Sequence, residues 1–129
     1  MIREKNKIEL GHSTVELRED GIVEIHFKEK MVIGLDEARE ITQCYDGLLE
    51  KRKYPLLHVA GNYVQATEEA RAYGASEEGL RYSLAEAYVI RSLAQKIIAN
   101  FYMKVNRPSV PTRFFGTKQD AEVWLKEFL

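Results

Sequence analysis

Cysteine occurs once in this chain, at Cys44, tryptophan once, at Trp124, and proline three times. A single thiol excludes an internal disulfide and any cysteine-built metal cluster, and it fits a reducing compartment. Neither sign of charge is in excess: 19 Lys and Arg against 20 Asp and Glu leave a formal charge of -1. Proteins that hold nucleic acid by its phosphates usually carry a basic surplus, so that partner class is not expected. No apolar run reaches the roughly 20 residues that cross a bilayer, so no membrane span is expected. The stretch Met1-Ile2-Arg3-Glu4-Lys5-Asn6-Lys7 is charged and leads into no apolar segment, which argues against a signal peptide and for a cytoplasmic protein.

What is present suits a globular chain. Hydrophobic residues make up 45% and charged residues 30% of 129, enough to build a core. There are no repeats, low-complexity tracts or linkers, and residues 1–129 read as one domain.

Thr14–Arg18 and Ile22–Phe27 alternate apolar with polar residues on either side of Glu19-Asp20-Gly21, which predicts a β-hairpin at the sheet's margin. Ile8 and Leu10 extend the first of these strands. A helix is expected from Leu35 to about Arg52, with acids at its start and Lys51-Arg52-Lys53 at its negative end, and Pro55 marking the exit. Leu56–Ala60 does not alternate, as in a central strand buried on both faces. Gly61-Asn62 then turns the chain. Thr67 and Ser76 each precede acids and read as caps of two short helices. A strand over Glu86–Ile90, a helix from Leu93 to about Val105 and a strand ending at Phe115 form a parallel βαβ unit with Ser92 at the helix entrance. The stripe of that helix is Leu93, Ile97, Ile98, Phe101 and Val105. Thr117 opens a last helix that turns Ala121, Trp124, Leu125 and Phe128 inward. The order β-β-α-β-α-β-α-β-α predicts an α/β sandwich with a mostly parallel sheet behind an N-terminal antiparallel hairpin.

That order resembles the STAS fold of the SpoIIAA anti-sigma-factor antagonist. Ala87–Ser92, Lys96–Tyr102, Pro111–Phe115 and Ala121–Leu125 are similar to a SpoIIAA-like group of bacterial STAS/SEC14-type proteins of unknown function. The resemblance implies a regulatory or binding module. In phosphorylatable members an Asp-Ser-Ser/Thr-Gly segment opens the helix after the third strand. Here Tyr63–Glu69 stands there, with Thr67 as the hydroxyl in reach and Glu68 and Glu69 placed to repel a phosphate.

Ligands of open parallel sheets bind beyond the strands' C-terminal ends. Asn62, Thr67, Ser92 and Thr117 fall along that edge, with Arg91 as its cation, and these five are the candidate ligand or partner contacts. Helix N-termini attract anions, yet hydroxyl residues also cap helices with no ligand at all. The histidines His12, His26 and His58 stand at no metal-ligand spacing, and His58 reads as a satisfied core residue. Cys44 borders the apolar stripe of its helix and reads as a packed thiol. No nucleophile, acid–base pair or glycine-rich phosphate loop is visible, so neither an enzyme, a metal nor a cofactor is expected. Tyr63, Tyr73, Tyr82, Tyr88, Phe101 and Tyr102 gather around the middle helices. They suit a core, a self-association patch, or a cleft for an apolar, lipid-like molecule. The expectation is a non-enzymatic module that contacts itself as a homodimer, or another regulatory protein, through Gly61–Thr67 and the next helix. The alternative is a domain that binds a small apolar or anionic ligand, and an open aromatic-lined pocket would favour it.

Overall fold

The computed structural model describes residues 2–129; Met1, where the expected domain span begins, lies outside them. A seven-stranded sheet runs β1 (Ile2–Glu4), β2 (Lys7–Glu9), β3 (Ser13–Leu17), β4 (Val23–Phe27), β6 (Tyr54–Ala60), β8 (Ser83–Val89), β9 (Thr112–Phe115). The first four strands pair antiparallel, and β4, β6, β8 and β9 pair parallel. Two short strands, β5 (Val32–Ile33) and β7 (Gln65–Ala66), pair parallel in a second sheet. The expected mostly parallel α/β layout with an antiparallel start is therefore present.

The hairpin forms where Asp-Gly places it. Asp20 Oδ1 accepts from the Ile22 amide at 3.2 Å, and the Arg18 amide donates to Ile22 O at 2.9 Å. It is not at the margin, however. Ile8 does not extend β3 but sits in β2, opposite Val15, and β1 pairs outside that. Residues Ile2–Glu4 are all exposed, so no burial pattern announces β1 in the sequence.

Three crossovers step across the sheet in one direction, from β4 to β6, β8 and β9. With right-handed connections such steps place their helices on one face. Those helices are α1 (Leu35–Leu48), α2 (Glu68–Gly74) and α3 (Leu93–Phe101). The last, α4 (Lys118–Leu125), covers the other face, where Ala121 and Leu125 pack with Ile22, Leu57, Val59, Ala85, Ala87 and Val89. Under α1 a second cluster joins Ile8, Val15, Val23 and Ile25 to Ile41, Tyr45, Leu48 and Leu56. Each fully buried Leu or Ile contributes about 1.5–3 kcal/mol.

Three boundaries differ from expectation. Helix α1 stops at Leu48, because Glu50 and Lys51 take positive φ of 50° and 63°. Lys51-Arg52-Lys53 therefore follows the helix instead of closing it, and Pro55 lies inside β6 at a register shift. Ser76 caps a turn, not a second helix: its Oγ donates to Tyr73 O and accepts from the Gly79 amide at 3.1 Å. Gly79 lies so close under the Tyr73 carbonyl that a Cβ would overlap it. Finally, α3 widens after Phe101 into a π-helical turn, Tyr102–Asn106, that ends on Arg107 at φ 50°.

Candidate functional site

Register brings the site together. His58 lies opposite Tyr88 across β6 and β8, and Tyr88 opposite Phe114 across β8 and β9. Side chains in one row of a parallel sheet share a face, and these stack. The His58 and Tyr88 rings are 4.3 Å apart and inclined by 10°, Tyr88 and Phe114 5.1 Å apart, and Phe27 flanks His58 at 6.0 Å. An aromatic band thus crosses the sheet beneath α1–α3.

Glu86 stands on the same face, two residues before Tyr88 on β8. It is 3% exposed, and its Oε1 accepts from the Tyr88 hydroxyl at 2.9 Å. Burial pushes its carboxyl up to about 7, against the lowering effect of the Tyr88 and Ser83 hydroxyls. Near neutrality it can donate as an acid or accept as a carboxylate. His58, 8% exposed, has Nε2 3.9 Å from Glu86 Oε1, too far for a hydrogen bond. Burial lowers its imidazole to about 4, so it is neutral at physiological pH. Among the described residues three buried polar atoms around this band have no hydrogen-bond partner, His58 Nδ1, the Tyr102 hydroxyl and Arg71 Nε. Leaving such groups unpaired costs about 1–3 kcal/mol each.

The helices and the small β5–β7 sheet roof this band without filling the space above it. A cavity of about 560 Å³ remains, with His58, Glu86, Tyr88 and Tyr102 among the polar lining and Ile41, Leu56 and Ile98 among the apolar. It is large enough for a small organic molecule. Tyr63, Tyr73, Tyr88 and Tyr102 all line it, so four of the expected aromatic set meet there. Tyr82 instead donates to Asp46 at 2.9 Å, and Phe101 faces outward.

Asn62, Ser92 and Thr117 follow the C-terminal ends of β6, β8 and β9, along one sheet edge. Thr67, Ser92 and Thr117 accept from the amides of Ala70, Gln95 and Asp120 at 3.1, 3.1 and 3.2 Å, each capping its helix. Asn62 donates to Glu29 at 3.2 Å, and Arg91 Nε donates to Ala60 O at 2.9 Å, tying α3's entrance to the end of β6. Of the five, Ser92 alone lines the cavity. Thr117 starts the helix on the opposite face. Cys44 is buried, donates to Glu40 O at 3.3 Å and lies away from the cavity; burial pushes its thiol up to about 11, so no thiolate forms at neutral pH.

Sequence reading missed Glu86. Its signal was a carboxylate in an otherwise apolar strand, Ala85-Glu86-Ala87-Tyr88-Val89, where burial demands a reason. His58 is a core histidine as expected, but not a satisfied one.

No curated protein matches the chain. An uncharacterised protein of the DUF3478 family with a SpoIIAA-like fold, from Shewanella loihica PV-4, is similar over 92% of this chain and 98% of its own, at TM-score 0.58 and 15% identity. At that identity the likeness shows the fold alone, and it bears out the SpoIIAA-like architecture. A protein with unknown function from Arthrobacter sp. FB24 aligns over 86% of this chain and 96% of its own at 22% identity, with a TM-score of 0.33. Residues 15–129 match a family model, and the chain belongs to that family, a domain of unknown function designated DUF7793.

Proposed function

We propose that this chain binds a small amphiphilic molecule in the cavity between α1–α3 and the sheet. One observation carries the reading: buried polar atoms without protein partners, His58 Nδ1, the Tyr102 hydroxyl and Arg71 Nε, belong to side chains that line a mainly aromatic and aliphatic cavity. An apolar body would bury its surface against Ile41, Leu56 and Ile98, at about 25 cal/mol per Å². A polar end would take the hydrogen bonds that the floor offers.

The floor also selects the sign of that end. On the floor Glu86 has no ion-pair partner but His58, which is neutral at physiological pH, while the cavity's one lining cation among the described residues, Arg71, comes from α2. A neutral hydroxyl or a cationic ammonium suits a carboxyl flanked by aromatic faces, whereas an anion would be repelled as Glu86 ionises. Thermal shift with dodecylamine, dodecanol and laurate at pH 8 tests this. The amine and the alcohol are expected to raise Tm and laurate is not. Ala94→Trp, which places an indole at the cavity mouth, should remove the response. Protein indifferent to all three, and carrying no small molecule in native mass spectrometry, would overturn the reading.

A second reading is a non-enzymatic regulatory contact module, homodimeric or paired with another protein, using Gly61–Thr67 and α2. Its support is the exposure of Asn62 and Tyr63 at the tip of that loop. The same native spectrum reports a dimer.

A further inference from the structure

The periodicity of α3 predicts an apolar stripe of Leu93, Ile97, Ile98, Phe101 and Val105, and the stripe faces out. Leu93, Ile97, Phe101 and Val105 are 74%, 60%, 46% and 57% exposed, one on each successive turn. Only Ala99 in α3 and Tyr102 in the turn after it are buried. Isolated exposed apolar residues are ordinary, but a continuous stripe of them marks a surface that something covers.

Charge indicates what covers it. From Ala87 to Gln119 there is no Asp or Glu, in a chain whose formal charge is -1. Arg91, Lys96, Lys104 and Arg107 are all exposed on this segment, and among the described residues none takes part in an ion pair. Arg71 sets its guanidinium 5.9 Å from the Phe101 ring centroid, adding a fifth cation beside the stripe. An apolar stripe on a segment that carries cations and no acid is the pattern of a helix lying in a membrane interface. A second copy docked isologously would bring the same cations face to face. A nucleic acid would leave the stripe uncovered, since phosphates and sugars offer it no apolar surface.

We propose that the outer face of α3 docks on an anionic lipid surface. Leu93, Ile97, Phe101 and Val105 enter the boundary between headgroups and acyl chains, and the exposed Arg91, Lys96, Lys104 and Arg107 meet anionic headgroups. The segment from Leu93 to Asn106 is about 20 Å long at the usual helical rise, so it lies flat and does not span. The docking face adjoins the cavity: Ile98, on the exposed side of α3, lines it, and Gln95 Nε2 donates to Val64 O at 3.2 Å, tying the segment between β6 and β7 to the helix. The inference concerns the surface and stands whether or not the cavity takes a ligand.

Vesicle flotation of the full chain tests it, with phosphatidylcholine alone and with phosphatidylcholine mixed with phosphatidylglycerol. The protein is expected to float with the anionic vesicles only, and less as salt rises. Ile97→Ser with Phe101→Ser should reduce binding by about tenfold or more, and Lys96→Glu with Lys104→Glu likewise, while Lys126→Glu, in the turn that follows α4, leaves it unchanged. These side chains are exposed, and circular dichroism melts establish that the variants fold. Equal binding to both vesicles, no binding, or anionic binding indifferent to all α3 variants would overturn the proposal. So would sedimentation showing a dimer that Ile97→Ser with Phe101→Ser splits, because a second copy would then cover the face.

Discussion

Tyr88 donates its hydroxyl hydrogen to Glu86 at 2.9 Å, both side chains rising from the same face of β8 because they are two residues apart. Glu86 is almost wholly withdrawn from water and Tyr88 partly so, and the bond acts in opposite directions on the two: the Tyr88 hydroxyl eases ionisation of Glu86 against the effect of burial, while Glu86 raises the Tyr88 phenol further above its usual value after burial has done most of the work. A central parallel strand that carries a carboxyl in this setting holds a titratable group where leucine or valine would pack more cheaply.

The raised carboxyl gives stability a pH dependence of known sign. Glu86 binds its proton more tightly folded than unfolded, so its contribution is fully present below 4.5 and is lost as pH rises through about 7. The displacement corresponds to on the order of 3 kcal/mol. His58 works the other way: its imidazole is lowered to about 4, so its contribution is present above 6.5 and lost as pH falls toward 4. The two oppose each other over the acid range, and Glu86 alone acts above neutrality. Glu86→Gln should therefore gain stability relative to the natural chain between pH 5 and pH 8. Urea denaturation of both at the two pH values measures the difference, and parallel curves would refute the assignment.

Two apolar helix positions should respond oppositely. Leu125 is fully buried against the outer face of the sheet, and Leu125→Ala is expected to cost about 2–5 kcal/mol. Ile97 is mostly exposed on α3, and Ile97→Ala should change stability by no more than about 0.5 kcal/mol. Equal losses in thermal melts would mean that α3 packs through its stripe after all.

Gly61 leaves β6 so close to the neighbouring chain that a Cβ would lie 2.9 Å from Phe27 O and 3.0 Å from the Glu29 amide nitrogen. Both neighbours are backbone and cannot swing away. Gly61→Ala should cost about 1–3 kcal/mol, whereas Gly116→Ala, with no atom within 4 Å of its Cβ, should melt close to the natural protein.

The caps at Thr67, Ser92 and Thr117 were legible because a cap is a contact between residues three apart. The hairpin at Asp20-Gly21 and the twice-buried strand at Leu56–Ala60 were legible for the same reason: each is a pattern within one segment. The failures mark where local signals stop. Glu50 and Lys51 end α1 through positive φ that their identities do not announce, and Gly79 forestalls a second helix through a contact with Tyr73 that spacing cannot show.

The sequence by itself determined the α/β class, the order of the main strands and helices from β3 to α4, and which helix faces are apolar, because these follow from periodicity and from caps and turns built of near neighbours. Tertiary structure decided what those faces meet. Periodicity reports that Leu93, Ile97, Phe101 and Val105 share a stripe, and whether core or solvent covers it depends on how α3 is anchored through Ala99 and Tyr102. It likewise decided that His58, Glu86 and Tyr102, on three separate elements, gather around one cavity, since strand register and helix placement, not spacing along the chain, bring them together.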